Sequence, residues 1–278
     1  MPAVSHASSD ARGFHMSHQH DYSGRQALPA GFAWRETEAG RVLVSVAFSA
    51  VAAHLVTTRD LAFRAGSIDG DYERLATALD VPVDRIVRVR QVHGRVVCTV
   101  SAGDAIPEPG ATDADAIVVT SPGVVASVRI ADCVPVLVAD RRHRVVAAVH
   151  GGWRGTAAGI SAATVRAIRD HGVAADDLVA VIGPSIGPCC YQVDERVFES
   201  FAALWPGASS WFVADGPGRW RLDLWRANRE QLEAEGVPPA AIQSACLCTA
   251  HHPLDWFSHR REGERAGRMV AAVRLSGG

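Results

Sequence analysis

Four short β-branched runs, at residues 116–120, 124–130, 134–139 and 145–149, constrain this chain more than any other feature. Turn-like breaks separate them: Ser121-Pro122-Gly123, Asp132-Cys133 and residues 140–144. Several runs are apolar on both faces, as strands of a sheet covered on both sides must be. Helical spacing surrounds them. Residues 71–79 place Tyr72, Leu75, Ala76 and Leu79 on one face, and residues 156–170 place Ile160, Thr164 and Ile168 in register. Asp194 suits the N-cap of a helix reaching Trp205, and residues 223–235 form another. Further strands are expected at 42–48, 86–92, 95–100, 178–182 and 268–275. The pattern predicts one α/β domain over residues 28–278, with no repeat or internal linker. Before it lies a tail, residues 1–27, carrying His6, His15, His18 and His20 among Ser, Gly and Asp.

Composition narrows the function classes. The formal net charge is −2, with the basic residues, all arginine, scattered along the chain, so no basic field suggests a nucleic-acid partner. No apolar run reaches the length of a membrane span, and no secretory signal is recognisable. The expected setting is the cytoplasm, with the six cysteines as free thiols. The pairs Cys189-Cys190 and Cys246-Cys248 lack zinc-finger spacing, so structural zinc is not the first reading for them.

Polar residues concentrate where apolar strands end, in Gln91-Val92-His93-Gly94, Ala131-Asp132-Cys133 and His150-Gly151-Gly152-Trp153-Arg154-Gly155. Strand ends are where α/β folds present reactive groups. Two imidazoles and a thiolate, from His93, His150 and Cys133, are a donor set that zinc accepts with a fourth position open. Such an ion brings the pKa of a bound water to about 7. The donors lie far apart in sequence, so spacing alone does not select this reading. A covalent reading uses Cys133 as nucleophile, His150 as base and Asp132 as orienter, although adjacent residues in a strand point to opposite faces. A structural reading makes all three satisfied core residues. Glycines 151, 152 and 155 would let the backbone around Trp153 approach a ligand. Near the C-terminus, His259-Arg260-Arg261 offers guanidinium donors to an anion, and Arg59 is a further substrate candidate.

Taken together, these segments resemble the YfiH family, also called the laccase-domain or multicopper polyphenol oxidoreductase family. The carrying motifs are QVHG at 91–94, DADAIV at 113–118, ADCVPVL at 131–137, AVHGGWRGTAAG at 148–159, IGPSIGPCCYQV at 182–193, FSHRR at 257–261 and GRM at 267–269. The resemblance implies a layered α/β sandwich, a mixed β-sheet covered by helices. It implies catalytic zinc on His93, Cys133 and His150, with Asp132 and Arg154 in the catalytic motifs and Arg59 and Arg260 on the substrate side. The implied activity is that of a purine nucleoside phosphorylase, taking adenosine, inosine or methylthioadenosine with phosphate, with adenosine deaminase activity besides. Residues 60–70 lack the Asn-Leu-Gly segment usual in the family, which bears on nucleoside contacts.

Three other functions use the same residues. A copper-dependent phenol oxidase would normally add a weak axial methionine to such a site, and Met1, Met16 and Met269 all lie far from the three donors in sequence. A hydrolase editing peptidoglycan precursors would use the same metal chemistry. A non-enzymatic metal-binding protein would tolerate changes at Arg154 or Arg260.

Overall fold

The computed structural model describes residues 27–275. The histidines of the N-terminal tail lie outside the described residues.

The β-branched runs do form strands, but not of one sheet. A first sheet contains β1 (Phe32–Thr37), β2 (Gly40–Ser45), β3 (Ala52–Thr57), β4 (Ile86–Val87), β7 (Val125–Ile130) and β15 (Met269–Leu275), in spatial order β1-β2-β3-β15-β7-β4. A second contains β5 (Val97–Val100), β6 (Ala116–Val119), β8 (Val134–Asp140), β9 (Val146–Gly151), β10 (Leu178–Ile182) and β14 (Ile242–Ser244), in order β14-β10-β8-β9-β6-β5. Most pairings are antiparallel; β4 with β7, β5 with β6 and β10 with β14 are parallel, so both sheets are mixed. β7 thus leaves its sequence neighbours and joins the other sheet. A small third sheet, β11 (Gln192–Asp194), β13 (Arg219–Leu222) and β12 (Phe212–Ala214), was not foreseen from the sequence.

Alternation within the strands explains the layering. Along β8, Val136 and Val138 join one core while Leu137 and Ala139 join another. The inner core fuses the two large sheets, packing Leu137, Val146 and Ala148 with Val128, Ile130 and Ala271. Outside the second sheet lie α3 (Ile160–Asp170) and α5 (Leu224–Ala234), whose Ile160, Val165 and Leu232 meet Val136 and Val149. Outside the first sheet lies α1 (Ile68–Ala78), with Tyr72 and Leu75 against Val44 and Val270. Helix, sheet, sheet and helix make a layered α/β sandwich.

Two local expectations change. The helix expected over 156–170 is two helices, α2 (Trp153–Ala158) and α3, joined at Gly159. Gly159 has φ +85°, and a Cβ there would sit 3.2 Å from the Trp205 ring, so the break needs glycine. The strand expected over 86–92 shrinks to two residues, after which the chain keeps only a bridge from Arg90 to Asp113. Asp194 and Asp223 do cap α4 (Glu195–Ala202) and α5, accepting from the amides of Val197 (3.3 Å) and Arg226 (3.0 Å).

Candidate metal centre and its cavity

Strand register assembles the centre. β8 and β9 are antiparallel with Pro135 opposite His150, so the residues just before β8 lie against the end of β9. Cys133 keeps the parity of Pro135 and reaches the same side as His150. The QVHG loop closes over them. The Cys133 sulfur lies 3.8 Å from His93 Nε2, and the two imidazole rings are 4.8 Å apart, edge to face. The three donor atoms all fall within 4.8 Å of one another. A tetrahedral ion with bonds of roughly 2.0–2.3 Å sets its donors about 3.3–3.8 Å apart. The donor set and its spacing fit a metal of zinc's class.

The orienting carboxylate that the sequence suggested at Asp132 is instead Asp115. β6 pairs with β9 so that Asp115 falls beside His150; the His150 amide donates to its carbonyl at 2.7 Å. His150 Nδ1 donates to Asp115 Oδ1 at 2.8 Å, leaving Nε2 for the ion. The amides of His93 and Gly94 donate to the same carboxylate at 2.9 and 2.6 Å. One buried aspartate therefore fixes two of the three donors. The signal for it was an acid at the mouth of the apolar run in DADAIV.

Asp132 lies in the bend before β8, and its carboxylate is taken up by the C-terminal segments instead of the donors. Its carboxylate accepts from Thr249 Oγ1 (2.6 Å), Ser258 Oγ (3.1 Å) and the Arg260 amide (2.6 Å). It pins the C-terminal motif to the cavity wall. Asp132 and His93 both take positive φ, +85° and +60°, so the backbone is held in sparsely populated regions on both sides of the centre. The glycines serve the donors more than a ligand. A Cβ on Gly152 would lie 2.7 Å from the His93 ring and 3.2 Å from the Cys133 sulfur, and one on Gly155 2.8 Å from the Gly94 carbonyl.

Electrostatics prepare the thiolate by pairing it with a protonated His150, whose proton a metal displaces. Burial pushes the Cys133 thiol up, but the charge of His150 and hydrogen bonds from His150 and His93 outweigh it and bring it to about 6. Burial lowers His150, while the Cys133 thiolate and Asp115 lift it to about 9. Burial likewise raises Asp115, and its bonds to His150 and the two amides hold it below the usual carboxylate range. A thiolate already formed at neutral pH is the ligand form a metal requires.

The centre lies in a cavity of about 740 Å³. Arg64, Arg129, Arg154, Arg260 and Arg268 line it, against only Asp132 and Glu264 on the acidic side. Among the described residues none of these arginines forms an ion pair with a carboxylate. Arg154 lies over the Trp153 ring at 4.4 Å and Arg260 over Tyr191 at 5.2 Å. Sequence reasoning missed Arg64, Arg129 and Arg268, which stand on three separate segments with no shared pattern. Arg59 lies outside the lining; it donates to the Pro253 carbonyl, stacks on Phe257 at 4.6 Å and pairs with Glu262 at 3.7 Å. Met269 is fully buried and its sulfur accepts from the Phe257 amide at 3.1 Å, so it does not cap the three donors. Among the described residues no helix is long and apolar enough to cross a membrane.

Comparison with known proteins fits this centre. The family model described as multi-copper polyphenol oxidoreductase laccase matches residues 60–276. The chain is 38% identical over 211 residues to purine nucleoside phosphorylase YlmD of Geobacillus stearothermophilus, covering 72% of this chain and 76% of that protein. It is 34% identical over 205 residues to adenosine deaminase RL5 of an unknown prokaryotic organism, covering 72% and 78%. The crystal structure of the Bacillus licheniformis hypothetical protein YfiH superposes with a TM-score of 0.78 at 28% identity, over 87% of this chain and 99% of that one.

Proposed function

Because this chain belongs to the multi-copper polyphenol oxidoreductase laccase family, we propose that it is a zinc-dependent purine nucleoside phosphorylase that also deaminates adenosine. Adenosine, inosine and methylthioadenosine are the proposed nucleosides, and residues 28–278 the catalytic unit. The names of the relatives support the reaction class. The observation that carries the reading is the meeting of three metal donors with five arginines in one cavity.

When bound, the ion supplies a Lewis acid at the floor of the cavity. The protein's own groups do the rest. Asp115 holds His150 in the tautomer that offers Nε2 and keeps the His93 loop closed. Arg154 and Arg260 hold phosphate by charge-assisted hydrogen bonds and orient its oxygen toward the ribose carbon of the glycosidic bond. As that bond breaks, positive charge grows on the ribose and electrons pass to the purine. The fixed phosphate dianion stabilises the first, and a proton must reach the second. Tyr191 and Trp153 wall the cavity with flat apolar surface for the base. Asp132 acts as a positioning residue, because both its oxygens are engaged in holding the Arg260 segment.

The test incubates the protein with adenosine, with and without phosphate, and follows adenine, ribose 1-phosphate and inosine. Adenine and ribose 1-phosphate are expected only with phosphate, inosine in both cases, and none of them from Cys133→Ala. Arg154→Ala is expected to raise the KM for phosphate roughly 10- to 100-fold, the worth of a charged hydrogen bond, while leaving deamination nearly intact. Equal product from wild type and Cys133→Ala, or none from either, would refute the reading.

A further inference from the structure

Of the cysteine pairs without zinc-finger spacing, Cys189, Cys190 and Cys248 meet in space, while Cys246 stays apart on Ser244. Cys189 and Cys190 lie in the turn that follows β10, and Cys248 and His251 in the segment that follows β14. The parallel pairing of β10 with β14 delivers both segments to one end of the second sheet. Beyond the strands the backbones stay joined: the Ser185 amide donates to Leu247 O at 3.1 Å and the Thr249 amide to Ser185 O at 3.0 Å. There the three sulfurs and one imidazole nitrogen all lie within 4.8 Å of one another. Cys189 Sγ stands 3.6 Å from His251 Nδ1, close to the edge of a tetrahedron with bonds of roughly 2.3 and 2.0 Å. The Gly187 amide donates to Cys248 Sγ at 3.3 Å, an outer contact that suits a ligated thiolate.

We propose that Cys189, Cys190, Cys248 and His251 form a second metal site, structural in kind, for a thiophilic ion of zinc's class. Four donors of three sulfurs and one imidazole complete a tetrahedron and leave no position for substrate, unlike the three-donor centre in the cavity. The ion clips two loops that backbone bonds already bring together, and both loops serve the cavity. Cys190 precedes Tyr191, and its carbonyl accepts from Arg260 Nη1 at 3.2 Å. Cys248 precedes Thr249, whose hydroxyl holds Asp132. The clip thereby fixes the wall that carries Arg260. Sequence spacing hid the site because two donors are adjacent and the other pair lies nearly sixty residues on.

Metal counting tests the proposal without reference to activity. Protein purified under reducing conditions should hold two equivalents of metal per chain by mass spectrometry of the elements. Cys133→Ala should retain one, Cys189→Ser/Cys190→Ser should retain one, and the combined variant none. If the double serine variant does not fold, Cys133→Ala loaded with Co²⁺ decides instead: strong sulfur-to-cobalt charge-transfer absorption is expected. His251→Ala changes an exposed side chain, and its second equivalent should pass to a chelator at least tenfold faster than in wild type. A single equivalent that disappears in Cys133→Ala would overturn the site. So would a Cys133→Ala protein that takes up Co²⁺ without charge-transfer absorption, or a disulfide among Cys189, Cys190 and Cys248 in the reduced preparation. Because each centre is counted separately, failure here leaves the nucleoside reading standing, and the reverse also holds.

Discussion

At the scale of single residues, the centre depends on groups that do not themselves offer a donor atom to the ion. Asp115 accepts from His150 and from the loop carrying His93, so its charge sets the orientation and basicity of two ligands at once. Asp115→Asn keeps the shape and removes the charge. The expected result is a 10- to 100-fold weaker hold on the metal, read by competition with a chelator, with the fold intact. An unchanged affinity would assign Asp115 to folding alone. The ligands His93, Cys133 and His150 were readable as chemically apt residue types in apt motifs. Asp115 was not, because only the pairing of β6 with β9 sets it beside His150. Arg59 illustrates the converse: a motif arginine whose guanidinium is spent on Pro253 and Glu262.

At the scale of elements, hydrophobic period found the helices and most strands, and local chemistry fixed their ends. Asp194 and Asp223 are examples, since a cap needs only its own side chain and the next turn. The split at Gly159 was not readable, because glycine within a helical pattern is tolerated unless something packs there, and Trp205 does. The β2–β3 connection shows a further device. His54 on β3 accepts the Ser45 amide through Nε2 at 2.9 Å, while Nδ1 lies 3.2 Å from the Ala52 carbonyl, so the ring fits only when neutral. Burial is the main reason its pKa drops to about 4 from an ordinary 6.5, despite the opposing bond to Ala52. The folded state thus resists a proton that the unfolded chain accepts. Stability from His54 is complete above pH 6.5 and falls as pH drops toward 4, by about 3 kcal/mol in all. Thermal unfolding of wild type and His54→Gln across this window should diverge, with the variant losing less on acidification. Parallel curves would mean that His54 titrates normally.

At the scale of the whole molecule, two sheets share one apolar layer that belongs to neither alone. Leu137, 1% exposed on β8, meets residues of β7 and β15 from the opposite sheet. Leu137→Ala should cost about 2–5 kcal/mol in urea unfolding, since rigid strands on both sides limit collapse of the cavity. A cost below about 1 kcal/mol would show that the layer can close. The α/β class, the runs buried on both faces and the residue types able to hold a metal were all legible along the chain, because they follow from side-chain period and donor chemistry within a local stretch. Only the packed chain shows that β7 crosses to the other sheet, that Asp115 holds two donors of the centre, that arginines from separate segments line one cavity and that Cys189 and Cys190 meet Cys248 and His251. The reason is physical: strand pairing and register are set by which faces can be buried together, and that competition is settled among segments far apart in the chain.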